Sequence, residues 1–358
     1  MKRLLEERTI MCRERGIPYV PIFLDGGFAT QCERVGINLD HPLWSTRAVI
    51  EDLPQVVRVH AAFFAAGADA VSTATYQCST GGAEANGTTM NAVAEAAVAA
   101  AREAAGASPG RMVWGSLSPI GATLGGGAEY TGAYEFDTDA LRAFHRPRVQ
   151  ALLDMNVDVL LLETFPRLDE ALAALSAVAE LYASNNSEYL PPVCVSFTQK
   201  PNSAVPVTGS GDSMMLEAVK KVADFRFVRW IGVNCCTPGA ATRYLQLWAE
   251  NDALADVWLG SDGPTHPWSW VQRGVAVYPN SGVRWMEDPE APGTGRWDAT
   301  HLPEAEAVIG RRLVAHWPAW ESALTTLGTK HLISVVLGGC CRTYPEDIAS
   351  LKAAALPT

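Results

Sequence analysis

The chain has 358 residues, 48% of them hydrophobic and 19% charged, enough apolar material for a substantial core. Its formal net charge of −11, with no basic cluster, argues against nucleic acid or an anionic membrane as partner. No apolar run approaches the roughly twenty residues of a membrane span, and the opening MKRLLEERTIMCRERG has scattered charges where a secretory signal has an apolar stretch. The expected compartment is therefore cytoplasmic. There the eight cysteines stay reduced, and metal binding or catalysis explains them better than disulfides do.

Eight short apolar runs read as strands: VPIFLDGG (20–27), DAVSTATY (69–76), RMVWGSLS (111–118), VDVLLLETF (157–165), PPVCVSFT (191–198), RWIGVNC (229–235), GVAVYPNSG (274–282) and HLISVVLGGC (331–340). Alanine- and leucine-rich segments between them have helical spacing, as at 91–105, 138–154, 168–183 and 238–250. Mostly continuous apolar runs suit parallel strands covered on both faces. Eight of them, alternating with helices at this length, predict a closed (β/α)₈ barrel with a doubly wound open sheet as the alternative. No linker or repeat divides the chain, so one domain spanning 1–358 is expected. Long loops are expected at 199–211 and at 261–273 with 286–300.

Polar residues gather where the runs end: Asp25-Gly26-Gly27, Thr73 and Thr75, Glu163-Thr164, Asn234-Cys235, Asn280-Ser281 and Cys340-Cys341. In a barrel these ends share one mouth, so Cys235 would meet Cys340 and Cys341 from over a hundred residues away. Neighbouring cysteines make poor disulfides, because consecutive Cα atoms lie about 3.8 Å apart, short of the usual range. Buried free thiols are the ordinary alternative, and the one preferred for Cys12, Cys32, Cys78 and Cys194. Three thiolates at a mouth suit a tetrahedral Zn²⁺ with its fourth position open, the catalytic arrangement.

FLDGGFAT, PLWST, AGADAVSTATYQ, GSLSPIGATLGGGAEYTGAY, ETFP, GVNC, YPNSG and GGCCRTYP follow one another in this order. Together they resemble the homocysteine S-methyltransferase family over roughly residues 20–352. TATYQ, GAEYTGAY and YPNSG are similar to members whose donor is S-methylmethionine or S-adenosylmethionine. The resemblance implies zinc bound by Cys235, Cys340 and Cys341, with Cys236 a packing residue. It also implies that Asp25 and Glu163 hold the substrate amino acid. The segments 199–212 and 258–270 depart from the family pattern, which affects the donor-site rim rather than the metal.

The implied reaction is methyl transfer from a sulfonium donor to the thiol of L-homocysteine, giving methionine. A thiol with a pKa of about 8.5 is mostly protonated at neutral pH, and zinc coordination deprotonates it. Each assignment has a plainer alternative. Asp25 is an ammonium partner or a turn-former, and Glu163 a substrate ligand or a structural ion pair. Gly26 and Gly27 let backbone amides reach the substrate carboxylate or only make the turn. Asn234 orients substrate or links strands. Trp44, Tyr76 and Thr75 line the site or pack; the two aromatics would face the sulfonium. His60 is expected to be a satisfied core histidine. Rival functions are a betaine-dependent homocysteine methyltransferase, a corrinoid-linked enzyme, and a non-catalytic zinc or redox sensor. The sensor would have no use for Asp25 or Glu163. The smaller donor, S-methylmethionine, is expected to be preferred to S-adenosylmethionine, with no membrane or nucleic-acid partner.

Overall fold

Side chains alternate across a strand, and here both faces of each strand are apolar. In the computed structural model, which describes residues 1–39, 45–185, 190–199, 212–259, 273–287, 295–298, 300, 302–303, 308–331 and 333–356, all eight predicted strands form. They are β1 (Tyr19–Phe23), β2 (Ala70–Ser72), β3 (Met112–Leu117), β4 (Val159–Phe165), β5 (Val193–Phe197), β6 (Val228–Asn234), β7 (Gly274–Tyr278) and β10 (Ile333–Leu337). All pair in parallel, in the order β1-β10-β7-β6-β5-β4-β3-β2. The seam between β1 and β2 is narrow: a bridge joins Leu24 to Ala70, and Asp69 N–H donates to Phe23 O at 2.7 Å. This is the predicted (β/α)₈ barrel; the open-sheet alternative is excluded.

Strand parity divides the core. Val20, Ile22, Ala70, Met112, Trp114, Val159, Leu161, Cys194, Trp230, Ala276 and Val336 form one buried cluster inside the barrel. Their neighbours Phe23, Val113, Leu160, Leu162, Val195, Ile231, Val275 and Leu337 belong to the cluster beneath the helices. Trp114 and Trp230 fill the centre, their rings 5.4 Å apart. The barrel is thus packed solid, and only its ends can hold a ligand.

The predicted helices appear as Met90–Ala105, Thr138–Asp154, Leu168–Ser184 and Pro238–Glu250. Side-chain caps fix their starts: Thr89, Asp137 and Thr237 accept from Ala92, Ala140 and Ala240 N–H. A helix not anticipated, Lys2–Arg15, sends Leu5 to the interior cluster. Its many charged residues leave little apolar periodicity to mark it as a helix. Arg284–Glu287 (β8), which runs into the stretch expected as a loop at 286–300, pairs antiparallel with Gly295–Asp298 (β9) inside it. The second strand is shorter than the expected 69–76, because the chain turns at Thr73 to form the wall of the mouth. Residues 200–211 and 260–272, most of the two loops flagged in the sequence, lie outside the described residues, as does Trp44.

Candidate active site

The inward series 20-22, 112-114, 159-161 and 194 continues toward the strands' C-terminal ends as Ser72, Ser116, Glu163, Ser196, Asn234 and Tyr278, an uppermost polar layer over the tryptophans. Burial makes each of these polar groups need a partner. Ser196 donates to Asn234 Oδ1 at 2.8 Å and bonds to the Tyr278 hydroxyl. Ser116 Oγ donates to Glu163 Oε1 at 2.5 Å, and Asn234 Nδ2 reaches Glu163 Oε2 at 3.4 Å. Asp25 accepts from Ser72 N–H at 2.9 Å and Ser72 Oγ at 3.1 Å. Above this layer opens a pocket of about 630 Å³, inside the range of about 300–1,000 Å³ for small-molecule sites.

The three predicted cysteines meet on its wall. Cys235, Cys340 and Cys341 place their sulfurs within 4.8 Å of one another, with Cys235 and Cys341 3.6 Å apart. Tetrahedral zinc with Zn–S bonds of about 2.3 Å separates its sulfurs by about 3.8 Å, so the cluster fits that ion. Backbone geometry explains the glycines ahead of the pair. A Cβ on Gly339 would meet Thr343 Oγ1 at 2.2 Å, while Gly339 N–H donates to Asp25 O and Cys340 N–H to Pro279 O. Cys235, Thr164 and Arg342 adopt left-handed φ of 47°, 65° and 61°. Such strain costs about 1–3 kcal/mol per residue and concentrates at functional sites.

Asp25 and Glu163 both line the pocket. Burial raises each carboxyl, Glu163 to about 7 and Asp25 well above its ordinary value, with the Glu163 charge adding to the latter. Two buried carboxylates beside each other call for a cation between them. Among the described lining residues there is no Lys, Arg or His.

Other expectations shift in detail. Asn234 is fully buried behind the wall; its Oδ1 accepts from Thr164 N–H and its Nδ2 donates to Thr164 Oγ1, so it links strands and orients Glu163. Thr75 also sits behind the wall, its hydroxyl bonded to Thr73 Oγ1 and Ser116 O; Thr73 is the residue that lines the pocket. Gly27 N–H donates to Thr343 O and Oγ1 and so is not free for a substrate carboxylate. A Cβ on Gly26 would meet Phe63 at 2.9 Å and on Gly27 the Cys340 carbonyl at 2.7 Å, so close packing demands both glycines. Tyr76 lines the pocket. Cys236 is buried in the outer core. His60 is buried against Phe28, rings 4.8 Å apart, but neither ring nitrogen has a partner among the described residues. It is a core histidine and not a satisfied one; burial lowers its pKa to about 3.

Residue-level reading of the sequence missed Ser72, Ser116, Gln77, Glu129 and Tyr130. Counting by twos from the buried Trp114 would have found Ser116. The last two lie in GAEYTGAY, where nothing local in the sequence marks either residue. Three successive left-handed glycines, Gly125 to Gly127, turn it back over the mouth, and Tyr130 Oη comes within 3.8 Å of Cys235 Sγ and 3.9 Å of Cys341 Sγ.

A parallel barrel with three thiols and two buried acids at its C-terminal mouth is an enzyme site suited to a thiolate-bound metal. The family model for homocysteine S-methyltransferase matches residues 22–355, and the chain belongs to that family. It is 31% identical to the homocysteine S-methyltransferase of Escherichia coli, covering 93% of this chain and 94% of the relative. Homocysteine S-methyltransferase YbgG of Bacillus subtilis is 30% identical, with 94% of each chain covered. The selenocysteine Se-methyltransferase of Brassica oleracea is 30% identical over 92% of this chain and 87% of the relative. The crystal structure of the E. coli homocysteine methyltransferase MmuM in its metallated form superposes with a TM-score of 0.69 at 28% identity, covering 96% of this chain and 99% of that one.

Proposed function

We propose that the protein transfers a methyl group from a sulfonium amino acid, S-methylmethionine in preference to S-adenosylmethionine, to the sulfur of L-homocysteine, forming methionine, and that its three cysteines hold zinc. The carrying observation is that one pocket joins the Cys235, Cys340 and Cys341 sulfurs to two buried carboxylates, with no basic side chain among its described lining residues. Zinc bound by the three thiolates would supply the charge that keeps the acceptor thiol ionised near neutral pH.

The chain's own groups do the rest. Asp25 and Glu163 bind the α-ammonium of homocysteine, which relieves the repulsion between them. Ser72 and Ser116 fix the two carboxylates, and Asn234 ties Glu163 to the strand that carries Cys235. Tyr76 and Tyr130 wall the space beside the sulfurs and exclude water. The acceptor sulfur attacks the methyl carbon; the donor's carbon–sulfur bond breaks with its electron pair, and the donor leaves as a neutral thioether. No general acid is required, and among the described residues the pocket offers no cationic one. With S-methylmethionine both products are methionine.

Charge supports a sulfonium donor over betaine. A sulfonium amino acid is net positive, whereas betaine is neutral overall, and an acidic pocket favours the former. Among the described residues no helix is long and apolar enough to cross a membrane. The contiguous family match over 22–355 supports reading 1–358 as one domain, and a cytoplasmic location is part of the same proposal. The test is methionine formation from homocysteine with S-methylmethionine, S-adenosylmethionine and betaine, together with metal analysis. Expected are about one zinc per chain, kcat/KM highest for S-methylmethionine, and loss of zinc and activity together on replacing Cys235, Cys340 or Cys341 by Ser, with neither lost in Cys12→Ser. Betaine as best donor would overturn the donor assignment; zinc retained in all three variants would overturn the metal site.

A further inference from the structure

Two acceptors on the pocket wall lack a counterpart. Glu129 lines the pocket, and among the described residues no cationic side chain pairs with it. Gln77 also lines it. Its Nε2 donates to Ala122 O at 3.3 Å, which fixes the amide's orientation and leaves Oε1 buried with no partner among the described residues. A buried acceptor without a donor costs free energy, so Gln77 Oε1 calls for an N–H donor from elsewhere, and the Glu129 carboxyl, with no cation beside it among the described residues, faces the same pocket.

They flank one turn. Gln77 grips Ala122, and the preceding Gly121 packs so tightly on the Glu129 backbone that a Cβ there would meet Glu129 N at 2.7 Å. Glu129 adjoins Tyr130, whose hydroxyl lies against the Cys235 and Cys341 sulfurs. The pair therefore belongs to the donor side of the pocket, apart from Asp25 and Glu163, which are held by Ser72 of β2 and Ser116 of β3.

A sulfonium amino acid carries two cations, and the reaction distinguishes them. The sulfonium charge disappears as the methyl leaves, so a carboxylate facing it would stabilise the ground state more than the transition state and slow transfer. The α-ammonium keeps its charge throughout. A carboxylate facing it tightens binding uniformly, at no expense to the chemical step, and an ammonium's three N–H donors serve a carboxylate and an amide oxygen together.

We propose that Glu129 and Gln77 are specificity-determining residues that bind the α-ammonium group of the sulfonium methyl donor. This rests on the reading of the donor as a sulfonium amino acid. It explains a carboxylate in the donor half of a site whose chemistry needs none there, and it selects amino-acid donors over sulfonium compounds without an amine.

The experiment compares the zinc-loaded full chain with Glu129→Gln and Gln77→Leu. The two ligands are S-methylmethionine and 3-(dimethylsulfonio)propionate, which has a like sulfonium and a carboxylate but no amine. The latter is measured as a donor, or as a competitive inhibitor against S-methylmethionine where turnover is slow. In Glu129→Gln, KM for S-methylmethionine should rise about ten- to hundredfold, the worth of a charge-assisted hydrogen bond. The kcat, zinc content and KM for homocysteine should stay near wild type, and binding of the amine-free compound should not weaken. Gln77→Leu should show the same selectivity with a smaller loss. Equal weakening of both ligands, a loss confined to kcat, or an unchanged KM for S-methylmethionine would overturn the assignment. A wild-type protein inactive with S-methylmethionine would overturn the donor reading and this inference together, an outcome distinct from those in the variants.

Discussion

Glu163 is placed under opposing demands: the barrel buries it, and its proposed grip on the homocysteine ammonium needs it charged. Burial raises its pKa from 4.5 to about 7, the Cys341 sulfur adds to the rise, and the Ser116 hydrogen bond opposes it. As pH rises from 4.5, the unfolded chain gives up this proton while the folded, ligand-free protein keeps it until about 7. The group therefore destabilises the empty protein progressively across that window. Homocysteine reverses the sign, since its ammonium favours the carboxylate; affinity should strengthen as pH climbs through about 7. In Glu163→Gln that pH dependence should flatten and KM for homocysteine should rise about tenfold or more, with zinc retained. Calorimetric titration across pH 5.5 to 8.5 checks this, and an unchanged profile in the variant would contradict the role. Asp25, Glu163 and the three cysteines were legible in the sequence because a polar residue ending an apolar run stands out locally. Gln77 and Glu129 were not, because what marks them among the described residues is an amide oxygen without a donor and a carboxyl without a cation, and those are properties of the surroundings.

The elements behind the barrel hold its mouth in place. From the helix Thr138–Asp154, the buried Arg148 guanidinium donates to Tyr76 O at 2.8 Å, Cys78 O at 2.6 Å and Ser118 O at 2.7 Å, tying the chain after β2 to the chain after β3. Glu170, on Leu168–Ser184, accepts from Ile120 N–H at 2.6 Å, from His145 Nε2 at 3.1 Å and from the Tyr134 hydroxyl. These contacts bracket the segment that carries Glu129 and Tyr130. Arg148→Ala should destabilise the protein by about 3–5 kcal/mol, because several buried carbonyls lose their donor. Equilibrium urea unfolding measures this. The folded fraction should also show a lower kcat/KM at full zinc content, since the pocket wall loses its anchor. Arg148→Lys should recover little, as an ammonium cannot reproduce the planar fork. The helix itself could be read from its 3.6-residue period and the Asp137 cap. The duty of Arg148 could not, because its partners lie 30 to 72 positions away.

Across the whole molecule, the two ends of the barrel do different things. At the end opposite the cysteines the helix Lys2–Arg15 lays Leu5 against the interior cluster, and Arg8 pairs with the buried Asp69 at 2.5 Å and donates to Pro21 O. Asp69 in turn accepts from Phe23 N–H at 2.7 Å, at the narrow seam where β1 meets β2. Removing one partner of a buried pair costs about 3–5 kcal/mol, so Arg8→Ala should lower the urea midpoint strongly. At low temperature its zinc content and kcat should match wild type, because the mouth is remote. Loss of zinc in the folded variant would show the two ends to be coupled. The sequence by itself determined the eight strands, the principal helices and the barrel they make, since burial on both faces writes apolar runs directly into the chain. It also determined the three cysteines and two acids, whose types and strand-end positions are local facts. Tertiary structure alone decided which of Thr73 and Thr75 faces the pocket, that Gly27's amide is already bonded, and that among the described residues the Gln77 Oε1 has no donor and Glu129 no cationic partner. Beyond the last ladder hydrogen bond the two-residue alternation no longer holds. Left-handed backbone at Thr164 and Cys235, and contacts between residues far apart in sequence, then set where each side chain points.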